Sequence, residues 1–102
     1  MPKQIILYNL APHVTDEQFK EYVNKEKGPL MESFESVEKY ELVKITESTT
    51  GRIPFKYVGI MHLKDMDGLR NRDEKSKAFQ EFRAKFRPMV TDLHSLFGEE
   101  IY

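Results

Sequence analysis

Between Phe55 and Leu69 the chain reads FKYVGIMHLKDMDGL, and this stretch restricts the fold more than any other. Phe55, Tyr57, Met61 and Leu63 fall on one face of an extended strand, Val58 and Ile60 on the other. A strand that is apolar on both faces is buried on both, so it belongs at the centre of a sheet whose two sides are covered. Gln4–Leu10 has the same property, with Ile5 and Leu7 facing one way and Ile6, Tyr8 and Leu10 the other. These two strands are expected to form the middle of one sheet.

The remaining elements follow from punctuation and periodicity. Ala11-Pro12-His13 ends the first strand, because proline has no amide to give to a ladder. Thr15 opens a helix, with Gln18 placed to complete a capping box and Asp16 and Glu17 at the positive end of the helix dipole. Phe19, Tyr22 and Val23 form its apolar stripe. Gly28-Pro29 is expected to end it, and Pro29 to lead a short second segment that buries Leu30, Met31 and Phe34. Ser36–Thr46 reads as a second strand. Val37, Val43 and Ile45 share one phase, Tyr40 and Leu42 the other, which implies two partly buried faces or a bulge between Leu42 and Val43. The polar loop 47–54 is short enough to make strands two and three a hairpin. Asp65 caps the next helical region. Met66–Arg72 reads as a loose turn weakened by Gly68, and Asp73–Arg87 as a long helix burying Ala78, Phe79, Phe82 and Phe86, stopped by Pro88. A last strand is expected near Leu93–Phe97 or Glu99–Tyr102.

Strand, helix, strand, strand, helix, strand is the split βαβ order of a ferredoxin-like α+β domain. At 102 residues the chain forms one such domain, 1–102. Two helices cover only one side of the sheet. A second copy of the chain, packed sheet on sheet about a twofold axis, is the simplest cover for the other. Composition narrows the function. The net charge of −1 lacks the basic excess of a phosphate-binding surface. There is no cysteine, so thiolate chemistry and thiolate metal sites are excluded, and His13, His62 and His94 have no ligand spacing. No apolar run reaches the roughly 20 residues of a membrane span, and the N-terminus has no signal-peptide pattern. A cytoplasmic homodimer without a bound cofactor or metal is the expectation.

Two family resemblances rest on longer stretches. IILYNLAPHVTDEQFKEYV, the proline-led short helix, SVEKYELVKI, YVGIMHLKDMDGL and the terminal FGEEIY together resemble the small dimeric α+β barrel proteins, most of all their RedY-like branch. That resemblance implies a homodimer whose sheets form a barrel, a cleft between each sheet and its helices, and an association with secondary metabolism. Relatives in that superfamily include cofactor-free oxygenases, haem-handling enzymes and lyases, so the fold carries over better than any chemistry. The second resemblance is to RNA-recognition motifs. Ile5–Leu10 is similar to their first-strand signature, and Phe55 and Tyr57 could be stacking rings. Ile6 stands at the aromatic position of that signature, however, Pro54 and Ile53 replace the glycine and basic residue of the third strand, and the charge is wrong.

No glycine loop for phosphate, no Ser/His/Asp spacing and no metalloprotease motif is present. His62 and Tyr8 are the candidate acid–base groups. His62 is a histidine near a strand end, with an interface role as the competing reading; Tyr8 lies where a cleft opens, with a core role as the alternative. Asn9, Tyr40 and Tyr57 are candidate ligand contacts, the two tyrosines equally suited to interface packing. The Phe79, Phe82, Phe86 stripe reads as core, and the basic run along the same helix as a solvated face. The expected ligand is a small, partly aromatic metabolite. A dimeric interaction domain without catalysis is the competing function.

Overall fold

The computed structural model describes all residues, Met1–Tyr102. Strand β1 (Pro2–Leu10) leads through a turn to α1 (Asp16–Tyr22), a π-helical turn (Val23–Lys27) and α2 (Gly28–Ser33). The hairpin of β2 (Val37–Lys44) and β3 (Tyr57–Leu63) follows. Next come α3 (Met66–Gly68), a second π-helical turn (Leu69–Asp73), α4 (Lys77–Phe86), a 3-10 turn (Arg87–Met89) and β4 (Val90–Glu99). The sheet order is β2-β3-β1-β4, with every pair antiparallel. This is the ferredoxin-like α+β fold, and the two strands that are apolar on both faces are its middle pair.

Local chemistry explains the boundaries. The Thr15 hydroxyl accepts from the Gln18 amide at 3.1 Å, and the Gln18 side chain accepts from the Thr15 amide at 3.0 Å, which completes the capping box. Asp65 caps α3 by accepting from the Asp67 amide. Gly51, at φ 78°, supplies the left-handed turn of the hairpin loop.

Several expectations are corrected. Gly28-Pro29 does not end the first helix. Gly28 stays helical, and its amide donates to the Val23 carbonyl five residues back, so the chain continues as a π turn. Pro29 has no amide for the bond an α-turn would need there. The long helix begins at Lys77 rather than Asp73, because Ser76 caps it by accepting from the Phe79 amide. Asp73 is buried instead, bonded to the Ser36 amide and hydroxyl and to Arg72. Ala78 is exposed. The β2 irregularity lies between Val37 and Lys39, not at Leu42–Val43. The extra residue there turns Val37 to the helix side with Tyr40 and Leu42 and leaves Val43 on the open face. Phe55 precedes β3 and packs on His94, away from Tyr57. β4 is a single long strand that runs through Gly98.

The helix side of the sheet holds two apolar clusters. One is Met31, Phe34, Val37, Met61, Leu63, Leu69 and Phe79; the other is Tyr8, Phe19, Tyr22, Tyr57 and Phe86. Strand register fixes what lies on the opposite, open face. Val43, Val58, Leu7 and His94 form one cross-strand row, and Glu41, Ile60, Ile5 and Leu96 the next. Leu96 is 50% exposed and Val43 45% exposed there.

Candidate functional site

The helices and the sheet enclose a cleft of about 170 Å³ between α4 and the β1–β4 side. Phe79, Phe82 and Phe86 of α4 form its roof, and Ile6, Tyr40 and Met61 its sheet wall. Phe82 and Phe86 stack at 5.3 Å between ring centroids. This phenylalanine stripe, read from sequence as core, is therefore both core and cleft wall. Gln4, hydrogen-bonded to Ser95, closes one end, and Glu74, Arg83 and Arg87 border the mouth.

Lys27 occupies the floor. Only 2% of it is exposed, and its Nζ sits among five rings, 4.2 Å from the Phe86 centroid and 5.2 Å and 5.3 Å from those of Tyr8 and Tyr40. Its one hydrogen bond is to the Tyr8 hydroxyl, at 3.2 Å, and no carboxylate pairs with it. The ring faces attract the ammonium, but they replace its hydration only in part. Burial accordingly pushes the Lys27 amine down to about 7. Burial also pushes the Tyr8 and Tyr40 hydroxyls well above the ordinary phenol range, so both stay protonated. The Tyr40 hydroxyl is buried beside that of Tyr8, but the two do not meet hydrogen-bond geometry, and Tyr40 has no other partner. The floor thus offers an amine that titrates near neutrality, a neutral phenol behind it and an unsatisfied phenol beside it.

Lys27 was invisible as a site residue because a lysine just before Gly-Pro reads as a helix end. A signal did exist. Lys27 lies four residues after Val23 and eight after Phe19, on the apolar stripe of its helix. The π turn makes room for it. A Cβ on Gly28 would lie 2.9 Å from the Val23 carbonyl oxygen, closer than side-chain carbons approach, so this turn requires glycine.

The candidates named from sequence separate. Tyr8 and Tyr40 meet at the cleft floor. Tyr57 stacks on Tyr8 at 5.8 Å, but its hydroxyl turns away and donates to Asp16 at 2.6 Å. Asp16 also receives Lys44 and Lys56, each at 3.0 Å, and these bonds, that of Tyr57 first, hold its carboxyl far below the usual range. Asp16, Lys44 and Tyr57 border a second, more open and more polar groove. Asn9 is engaged elsewhere: its side chain donates to Pro54 and Asp92 and accepts from the Lys56 amide. His62 lies on the open face, 2.6 Å from Glu41, with the whole sheet between it and Tyr8. Tyr57 is 4% exposed and so cannot serve as a stacking ring for RNA. No three His, Asp or Glu side chains come close enough to hold a metal ion, and no helix is long and apolar enough to cross a membrane.

Comparison with known proteins bears on the fold and the lineage. The family model of the REDY-like protein HapK matches residues 2–101. The crystal structure of HapK from Hahella chejuensis superposes with a TM-score of 0.82 at 19% identity, covering 99% of this chain and 93% of that one. SnoaB, a cofactor-independent oxygenase from Streptomyces nogalater, gives 0.78 at 14% identity, covering 99% and 93%. A dimeric ferredoxin-like protein of unknown function from Thermobifida fusca gives 0.74 at 16% identity, covering 97% and 90%. No protein of curated function matches the chain. At these identities the superpositions show a shared fold, while the match over nearly the whole sequence shows the lineage: this chain belongs to the REDY-like HapK family.

Proposed function

We propose that this chain is a cytoplasmic homodimer, joined through its open sheet face, that binds a small, partly aromatic metabolite in the cleft under α4 and acts on it as an enzyme of secondary metabolism. The observation that carries the reading is the unpartnered Tyr40 hydroxyl beside Lys27 in a cleft otherwise walled by rings. A buried polar group without a partner costs roughly 1–3 kcal/mol, and a ligand atom that bonds to it recovers that cost. The space suits one aromatic ring, since an apolar cavity of about 150 Å³ takes benzene. The rings supply apolar contact, and Tyr8, Tyr40 and Lys27 supply the polar and proton-transfer groups.

The dimer half of the reading rests on the exposed apolar rows of the open face and on the dimeric structural neighbour from Thermobifida fusca. In such a dimer His62 and Glu41 become interface groups, and Tyr8 with Tyr40 remains the site pair. Light scattering after size exclusion is expected to give a mass near twice 12.1 kDa that persists on dilution. With 4-hydroxybenzyl alcohol as probe, a ligand at about ten times its Kd adds about 1.4 kcal/mol, read as a rise of several degrees in Tm. Tyr40→Phe is expected to shrink that rise. A monomer at every concentration removes the dimer, and no thermal response to the alcohol removes the cleft as a binding site.

A further inference from the structure

We propose that Lys27 is a nucleophile, and that the ligand of this cleft is an aldehyde or ketone with which Lys27 condenses to an imine. The proposal rests on the ligand-binding reading above and names the chemical class of the ligand.

Three features of the chain point to it. First, Lys27 is placed as a reactive group rather than as a structural cation. A buried lysine that serves stability is normally paired with a carboxylate, and Lys27 has only the Tyr8 hydroxyl. Glu74, Arg83 and Arg87, the charged groups of the cleft, stand at its mouth and form no bond to Nζ. Second, the backbone is committed to this placement. π turns occur disproportionately at functional sites, and here one carries Lys27 inward and demands glycine at the next position. Third, the Tyr40 hydroxyl is an available donor at the same floor. An oxygen that gains negative charge when an amine adds to a carbonyl needs such a donor.

An amine must be unprotonated to attack, and burial supplies that form near neutral pH, as in other lysines made nucleophilic by desolvation. The step balances without any co-reactant. The Nζ lone pair forms a bond to the carbonyl carbon, and the C=O π pair moves to oxygen, which takes a proton. Nζ loses a proton, and the resulting carbinolamine then expels its hydroxyl with a second proton as water. The second proton also comes from nitrogen, leaving C=N. In sum, amine and carbonyl give imine and one water. Tyr8 and Tyr40 remain neutral phenols and lend or relay the protons. The ring walls receive an aryl group next to the carbonyl.

The test uses the whole protein with 4-hydroxybenzaldehyde and sodium cyanoborohydride at neutral pH, followed by peptide mass analysis. Thermal shift with the non-electrophilic 4-hydroxybenzyl alcohol runs in parallel. The expected result is one dominant reduced adduct at Lys27, formed at least about tenfold faster than at any other of the eleven lysines, because Lys27 lines the cleft that holds the aldehyde and burial among the rings disfavours its charged form. In Lys27→Met that adduct is lost and no other lysine takes its place, while far-UV circular dichroism shows the variant folded as the parent is. If the alcohol stabilises the protein but adducts scatter over surface lysines, or the aldehyde leaves Lys27 unmodified, imine chemistry is overturned and the binding reading stands. If neither alcohol nor aldehyde engages the protein, both fall.

Discussion

At the residue scale, Lys27 and Tyr40 each carry a cost that a purely structural residue would not. Folding removes the Lys27 ammonium from water without an ion pair, so its amine is about 7 in the folded chain against 10.5 when exposed. Between those values the unfolded chain binds more protons than the folded one. Stability should therefore rise as pH increases from about 7 towards 10.5, and the penalty should be complete below 7. Denaturant unfolding across this window reads the slope, and Lys27→Met should flatten it and raise stability at pH 7. Tyr40→Phe deletes a buried hydroxyl that has no partner. We expect the unliganded variant to be more stable than the parent by about 1 kcal/mol, measured by urea unfolding. A loss instead would mean that the hydroxyl is satisfied in solution.

At the element scale, the two π turns set the positions of the buried charges. Exchanging an interior helical glycine for alanine ordinarily gains up to about 1 kcal/mol. At Gly28 the added Cβ would meet backbone at 2.9 Å, so the sign should reverse. Gly28→Ala should lose about 1–3 kcal/mol and disturb Lys27, with a lowered Tm and a weakened response to the alcohol probe as readouts. The second turn presents Asp73 to β2. Burial alone would raise its carboxyl, but bonds from Arg72 and from the Ser36 side chain and amide outweigh burial and hold it low. Asp73→Ala should cost about 2–3 kcal/mol in chemical unfolding, because it strands the Ser36 amide and hydroxyl and leaves Arg72 without its nearest partner.

At the scale of the whole molecule, one side of the sheet is roofed by helices and the other is bare. Its rows of Val43, Val58 and Leu7, and of Ile60, Ile5 and Leu96, make a continuous apolar strip bordered by His62, Glu41 and His94. Leu96 is half exposed in the single chain, so Leu96→Glu should leave the monomer folded by far-UV circular dichroism. Across a sheet-to-sheet interface it would bury an unpaired charge on each subunit, and light scattering should show a monomer. An unchanged dimer would place the interface elsewhere.

Strand alternation in Gln4–Leu10 and Tyr57–Leu63, the Thr15–Gln18 cap and the order of elements were legible in the sequence, because each is set by neighbours within a few residues. The same local logic put Tyr8 and Tyr40 forward as candidates, and both pack against Lys27 at the floor of the cleft under α4. It could not show that His62 and Tyr8 lie on opposite sides of the sheet, because their common site was inferred from position along strands and not from register. The bulge at Glu38 was equally out of reach: its position depends on how β2 pairs with β3, and it decides which face Val37 and Tyr40 share. Lys27 is the clearest division. Its spacing from Phe19 and Val23 fits their stripe, a signal passed over in the sequence, and only tertiary structure decided that it is buried. A π turn is stabilised by the packing around it, and the rings that desolvate the amine come from β1, β2, α1 and α4, which the chain brings together only when folded.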